Sequence, residues 1–260
     1  MTFSMSNGYG FGGGNEVKEE SSWRYPIGIF FAILFLSAIF LYYYVGPSVD
    51  EFKGDVPSPA ISEEKISVTV GGHTFATPAN FTVYPRARRG GVRDELSLYM
   101  LWPTKTGYSP ANRKEFIENA PDTRRINIDI TNRPPIYSEG ERIEKLYLPQ
   151  TVDPAGAPTP YKLTKFVFKE QRADVPTNGY ADSELFVGAD ANDNLIALFC
   201  FKERGPNASP DCWRTYEYSD KITVSYRFKR PYLPEWPQID AEVRQFVADL
   251  DQSENDLSGP

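Results

Sequence analysis

Apolar and polar positions change rhythm three times along this chain. From Tyr25 to Val45 there are 21 residues without a charge. At 1.5 Å per residue a helix of that length spans about 30 Å, the thickness of a bilayer's hydrocarbon core. Lipid offers backbone amides no partner, so a helix is the predicted form. Trp23, Arg24 and Tyr25 at one edge, and Tyr42, Tyr43 and Tyr44 at the other, are residue types that settle at membrane interfaces. Pro26 falls in the first turn, where its missing N–H costs nothing. A core helix would show a polar face, and this segment has none. A cleaved signal peptide is the stronger rival. Against it, the segment is long, starts late, and leads into Val45-Gly46-Pro47, a poor match to a small-x-small cleavage site.

Beyond residue 65 the period drops to two. Ser67–Val70 and His73–Ala76 flank Gly71-Gly72 and read as a hairpin on a glycine turn. Phe81–Tyr84, Leu96–Trp102 and Ile126–Ile130 read as further strands, with a helical turn at 112–119. Lys165–Lys169 alternates, and Glu184–Gly188 and Leu195–Phe201 form a hairpin around Asp190-Ala191-Asn192-Asp193-Asn194. Trp213–Tyr218 and Ile222–Phe228 follow. The period then lengthens to that of a helix, placing Ile239, Val243, Phe246, Val247 and Leu250 on one face. The expected class is α+β, mostly antiparallel β: an N-terminal transmembrane helix, a β-rich soluble domain and a C-terminal amphipathic helix. No strand–helix–strand alternation points to a parallel sheet.

These rhythms divide the chain. Residues 1–22, rich in Gly and Ser, read as a flexible cytoplasmic tail, 23–45 as the membrane helix and 46–64 as a proline-containing stalk. Residues 65–250 form the soluble domain, and 251–260 read as a disordered tail. The formal charge of −7 argues against nucleic acid as a partner. Basic residues flank the helix almost evenly, so orientation rests on the two cysteines, Cys200 and Cys212. A pair so close suits one disulfide, with two free core thiols as the alternative; a disulfide persists outside the cytosol. The expected location is a bacterial inner membrane, with the N-terminus cytoplasmic and the domain periplasmic.

The run His73–Phe81, then Glu95-Leu96-Ser97-Leu98 and Leu101-Trp102-Pro103, then Cys200, Cys212, Tyr226-Arg227-Phe228 and Leu233-Pro234-Glu235-Trp236 resembles uncharacterised single-pass proteobacterial membrane proteins with a periplasmic domain. The resemblance spans most of residues 66–250. It implies the topology and carries no activity.

Candidate chemistry is sparse. His73 is the single histidine, so any Ser–His–Asp or Cys–His arrangement needs it, yet it sits in a predicted strand without a nucleophile-elbow sequence. Cys200 and Cys212 lack the spacing and partners of a zinc site. The 190–194 run places oxygen ligands like a calcium loop but lacks its glycine and distal glutamate, and a hairpin turn explains it equally well. No cofactor motif is present. Arg86, Arg88, Arg89 and Arg93 form the one basic cluster, either a solvated loop or a contact for anionic lipid or an acidic partner. Gly28, Ala32, Ser37 and Ala38 offer small residues for packing against another membrane helix. The sequence therefore favours a non-enzymatic, membrane-anchored interaction protein. Its partners would be the bilayer and another membrane protein, as for an accessory subunit of an envelope complex. The alternative is a cell-wall or carbohydrate binder or hydrolase that stacks sugars on Trp102, Trp213 and Trp236.

Overall fold

A computed structural model describes residues 23–44, 46, 48–169, 180, 182–190, 192–203, 205 and 210–253. The expected tail at 1–22, and 254–260 of the expected C-terminal tail, lie outside these residues. The chain divides into two units, Met1–Phe52 and Lys53–Pro260.

The first unit holds helix α1, Arg24–Tyr44. It is long and apolar enough to cross a membrane, and none of its most apolar stretch is buried by protein. Trp23, Tyr25, Tyr42, Tyr43 and Tyr44 are exposed at its ends. The Arg24 side chain lies outside the described set. A short helix, α2 (Val49–Lys53), follows.

The second unit is built on antiparallel strands. β1 (Lys65–Val70) and β2 (His73–Pro78) form the expected hairpin. Its turn needs glycine: Gly71 has φ +56°, and a Cβ there would stand 2.8 Å from Ile222 Cγ1. β3 (Gly91–Val92) adds to β1 in parallel, giving a three-stranded sheet. The larger sheet uses β4 (Glu95–Leu101), β5 (Arg125–Asn132), β6 (Ala157–Pro158), β7 (Thr164–Val167), β8 (Ser183–Ala189), β9 (Leu195–Phe201), β10 (Asp211–Glu217) and β11 (Ile222–Lys229). Its order is β4-β5-β11-β10-β9-β8-β7-β6, and every neighbouring pair is antiparallel. Helix α3 (Arg113–Ile117) lies between β4 and β5. Helix α4 (Glu139–Arg142), continued by a π turn through Tyr147, lies between β5 and β6. Helix α5 (Trp236–Leu250) closes the fold.

Two departures from the sequence reading have local causes. Phe81–Tyr84 is not a strand. Ala79–Phe81 is a 3-10 turn, and Thr82 Oγ1 donates to the Ala79 carbonyl at 2.7 Å, a side-chain bond that competes with ladder pairing. Only Thr82 pairs there, as an isolated bridge to Leu98. Residues 54–64 are also drawn toward the domain. The Arg86 N–H donates to the Gly54 carbonyl, the Ser58 N–H to that of Val83, and the Ala79 N–H to that of Glu64.

Strand alternation sorts side chains onto two faces of the large sheet. On β9, Ile196, Leu198 and Cys200 join the main core, while Ala197 and Phe199 join a second cluster on the opposite face. The amphipathic face of α5 covers the first, burying Ile239, Val243 and Val247 against β4, β5 and β11 side chains such as Leu98, Ile128 and Val224. Burying one such aliphatic chain contributes about 1.5–3 kcal/mol. The π turn covers part of the second face with Ile143 and Tyr147.

Cys200 and Cys212 face each other across β9 and β10 and are joined by a disulfide. Residues 204 and 206–209 of the intervening loop lie outside those described. The bridge encloses a separation of 12 residues, for which loop closure gives about 3 kcal/mol. Replacing both cysteines with serine should lower the domain's unfolding free energy by that order in urea titrations. Alkylation of the unreduced, denatured chain should leave Cys200 and Cys212 unlabelled; labelling of both would contradict the pairing.

Candidate functional site

The large sheet is not hydrogen-bonded along its whole length. β8 and β9 pair over seven residues, but β9 and β10 pair only at Cys200–Cys212, Phe199–Trp213 and Leu198–Arg214. Beyond these the two strands part, and helix α4 enters the opening.

The local sequence explains how α4 reaches it. Ser138 caps the helix: its hydroxyl accepts from the Glu141 N–H, and the Glu141 carboxylate accepts from the Ser138 N–H. The first helical residue, Glu139, thereby points at the freed strand edges. Its Oε1 accepts the Ala197 N–H at 2.8 Å, where a neighbouring strand would otherwise serve. One turn on, Arg142 Nη2 donates to the Thr215 carbonyl at 2.9 Å, and Nη1 pairs with Glu217. Two side chains thus serve one N–H and one carbonyl of the parted strands.

Glu139 also belongs to a buried ionic network. Arg214, 1% exposed, donates from Nη2 to Glu139 Oε2 at 2.7 Å and from Nε to Oε1 at 3.0 Å. Its Nη1 reaches Asp240 Oδ1 of α5 at 2.5 Å. The Tyr226 hydroxyl donates to the same oxygen at 2.8 Å, and Arg244 Nε reaches the other Asp240 oxygen at 3.2 Å. Burial pulls the Arg214 pKa down, but the hydrogen bonds and charge of Glu139, with the charges of Tyr226 and Asp240, outweigh it and raise it above its ordinary value. Burial pushes the Glu139 carboxyl above its usual range against the pull of Arg214.

Two concavities border the opening. A largely apolar groove of about 430 Å³ lies on the second face, lined by Trp213, Phe199, Tyr147, Tyr180 and Ile136 among others. Ile136 is 89% exposed at its rim. The Trp213 ring stacks on Phe199 at 5.5 Å. A polar cavity of about 520 Å³ is lined by Glu139, Arg214, Tyr216, Glu217, Arg244, Asp190 and residues 192–195.

The residues singled out from sequence fall elsewhere or act locally. Cys200–Cys212 lies in the last paired stretch before the opening. Arg86 pairs with Asp55 at 2.8 Å, and Arg88 donates to Thr82 Oγ1 at 2.9 Å and to the Ser58 carbonyl. These two arginines therefore hold residues 55–58 against the domain. Arg93 has its Nε buried, and Arg89 also has interactions of its own. His73 Nδ1 lies 2.8 Å from Asp251 Oδ2, which also accepts the Tyr218 hydroxyl. Ser253 donates to Asp251 rather than to the imidazole, so the set ties β2 to the end of α5. Asp190 Oδ1 accepts the N–H groups of Asn192 and Asn194, an Asx turn. Ala191 lies outside the described residues, and among those described no group of three or more His, Cys, Asp or Glu is placed to hold a metal. Trp102 and Trp236 are buried, donating to Glu235 and to the Tyr161 carbonyl, so neither is an exposed sugar platform. Glu139, Arg214 and Asp240 escape a reading by pattern; only Ser138-x-x-Glu141, a capping box, marks the start of α4.

The fold is thus a mixed one: a large antiparallel sheet backed by a C-terminal helix in the second unit, and an apolar helix in the first. No family model matches the chain, and no curated protein matches it. Among solved structures it is similar to an immunity protein of the Stenotrophomonas maltophilia type IV secretion system. The likeness has a TM-score of 0.51 at 15% identity and covers 73% of this chain and 94% of that one. At that identity the two share a fold.

Arg214→Met would strand Glu139 as a buried carboxylate and leave Asp240 with Arg244 alone as cationic partner, at a cost of about 3–5 kcal/mol at neutral pH. Without the guanidinium the Glu139 carboxyl, already raised by burial, rises further above its unfolded value. A raised folded-state value means stability is full below the unfolded one and is lost as pH climbs through the folded one. The deficit should therefore shrink as pH falls from about 7 toward about 5 in urea titrations read by near-ultraviolet circular dichroism. A constant deficit would count against the network.

Asp251 gives the opposite sign. Burial works to raise its carboxyl, but hydrogen bonds from Ser253, His73 and Tyr218 prevail and hold it below the ordinary 3.8. Its contribution is full above that value and fades as pH falls through the lowered one. Asp251→Asn should destabilise at neutral pH, and the difference from the native chain should narrow below 3.8.

Proposed function

We propose that this chain is a membrane-anchored interaction protein whose domain lies in the bacterial periplasm and acts by binding a protein partner. The observation that carries the reading is the fold, which matches nearly the full length of a secretion-system immunity protein. Carried over to this chain, that likeness makes a protective role in the envelope, against a protein delivered by a secretion system, the first to test. Three features support it. Helix α1 is apolar on every face, as a bilayer requires. The Cys200–Cys212 disulfide suits an oxidising compartment. The buried network engages its charges with one another, as in a positioning device. The resemblance to single-pass proteobacterial membrane proteins belongs to the same reading, as does the expectation of an accessory subunit in an envelope complex.

Retention of the intact chain in membranes after an alkaline wash is expected. A soluble product cleaved after α1 would end the anchored reading and leave a signal sequence. Gentle detergent extraction should give a mass above that of the monomer. Cells lacking the chain should lose viability beside neighbours with an active secretion system and regain it on complementation. A lone monomer at native abundance, together with unchanged viability, would refute the function.

A further inference from the structure

The polar cavity beside α4 holds a buried group that the network does not use. Tyr216 is 3% exposed, lines this cavity, and its hydroxyl has no hydrogen-bond partner among the described residues. A phenol so placed leaves a proton and lone pairs unsatisfied, a costly arrangement unless something enters to meet them. Its ring is already occupied: the Arg244 guanidinium lies 4.4 Å above it and that of Arg214 at 5.5 Å. The hydroxyl is the one polar atom of Tyr216, and no described residue engages it.

The charges of the lining decide the ligand's sign. Arg214 is taken up by Glu139 and Asp240, Arg244 by Asp240, and Glu217 by Arg142. Two carboxylates, Asp190 and Asp193, enter no ion pair among the described residues. The Asp190 oxygens close the Asx turn, and Arg244 acts on them from a distance. Asp193 sits at the turn's positive-φ position, and no side-chain bond engages it. With four carboxylates against two guanidinium groups in its lining, the cavity is electronegative. A metal does not fit, because the carboxylates are not gathered into a ligand set.

We infer that this cavity receives a basic side chain, arginine or lysine, from a protein partner, its cationic head meeting the Tyr216 hydroxyl and the Asp193 carboxylate. The inference rests on the protein-binding reading above for the source of that side chain. The cation's charge answers the Asp193 carboxylate, and its N–H groups meet the phenol's lone pairs.

The test uses the full chain in nanodiscs with tyrosine rings labelled for NMR, and Nα-acetyl-arginine amide as the probe. Saturable shifts of the Tyr216 signal, identified by its loss in Tyr216→Phe, are expected. Asp193→Asn should weaken binding about tenfold, while Asp193→Glu retains it, with thermal melts confirming that each variant is folded. Nα-acetyl-glutamate amide should leave the signal unmoved. No response to the arginine probe, an equal response to the glutamate probe, or undiminished binding in Asp193→Asn would overturn the inference. So would the same shift produced by calcium alone at lower concentration, which would mark a metal site. Arginine binding in a chain extracted only as a monomer would uphold the cavity's chemistry and sink the partner reading. A partner recovered equally well by native and Asp193→Asn chains would sink the inference and leave that reading standing.

Discussion

The fold turns on one buried guanidinium. Arg214 sits on a central strand, 1% exposed, between Glu139 of α4 and Asp240 of α5. Taking such charges out of water costs several kcal/mol per ion, and their mutual attraction only roughly offsets it. The network's contribution is therefore positional more than energetic. Each member is tolerable only when the other two are in place. The strand, the capping helix and the closing helix must then meet in one arrangement.

That constraint also explains the parted strands. A sheet that opens between two central strands leaves backbone donors and acceptors without partners. Here Glu139 serves the Ala197 N–H and Arg142 serves the Thr215 carbonyl. The carboxylate that closes the backbone account is the one that holds Arg214. Ladder and network are thus one system, and the disulfide fastens the strands in the last paired stretch before they separate. The polar cavity is a consequence of the opening, because a continuous ladder would bring the strands together where Glu139 now enters.

How much of this was legible depended on whether the signal was periodic or long-range. The β1–β2 hairpin, the β8–β9 hairpin and α5 were readable because alternation, glycine turns and an apolar helical face are local properties. Val243 and Val247 announce a buried face by spacing alone. Phe81–Tyr84 looked like a strand by composition, but the Thr82 hydroxyl gives its backbone a local alternative. Arg214, Glu139 and Asp240 were illegible for a different reason. They stand 75 and 26 residues apart, and nothing near Arg214 in the chain announces a buried charge. Alternation placed position 214 on the core face beside Cys212 and Tyr216, and an arginine there would ordinarily break the pattern. Read physically, that break was the one available hint, since a charge at a core position requires partners from elsewhere.

The same logic separates the two faces of the large sheet. The face under α5 is closed by an amphipathic helix whose buried apolar side chains join the same core cluster as the strand residues. Among the described residues the other face is covered in part by a π turn that ends at Tyr147, with Trp213, Phe199 and Ile136 around the groove. A helix entering a sheet at its split cannot also lie flat across it. α4 spends its first turn satisfying strand edges, and only its continuation reaches the aromatic cluster. The partial cover that α4 and its continuation give that face follows from the task α4 performs at the opening. The aromatic groove and the polar cavity therefore both border one short segment, from Ser138 to Tyr147, positioned by a capped helix start and a buried arginine.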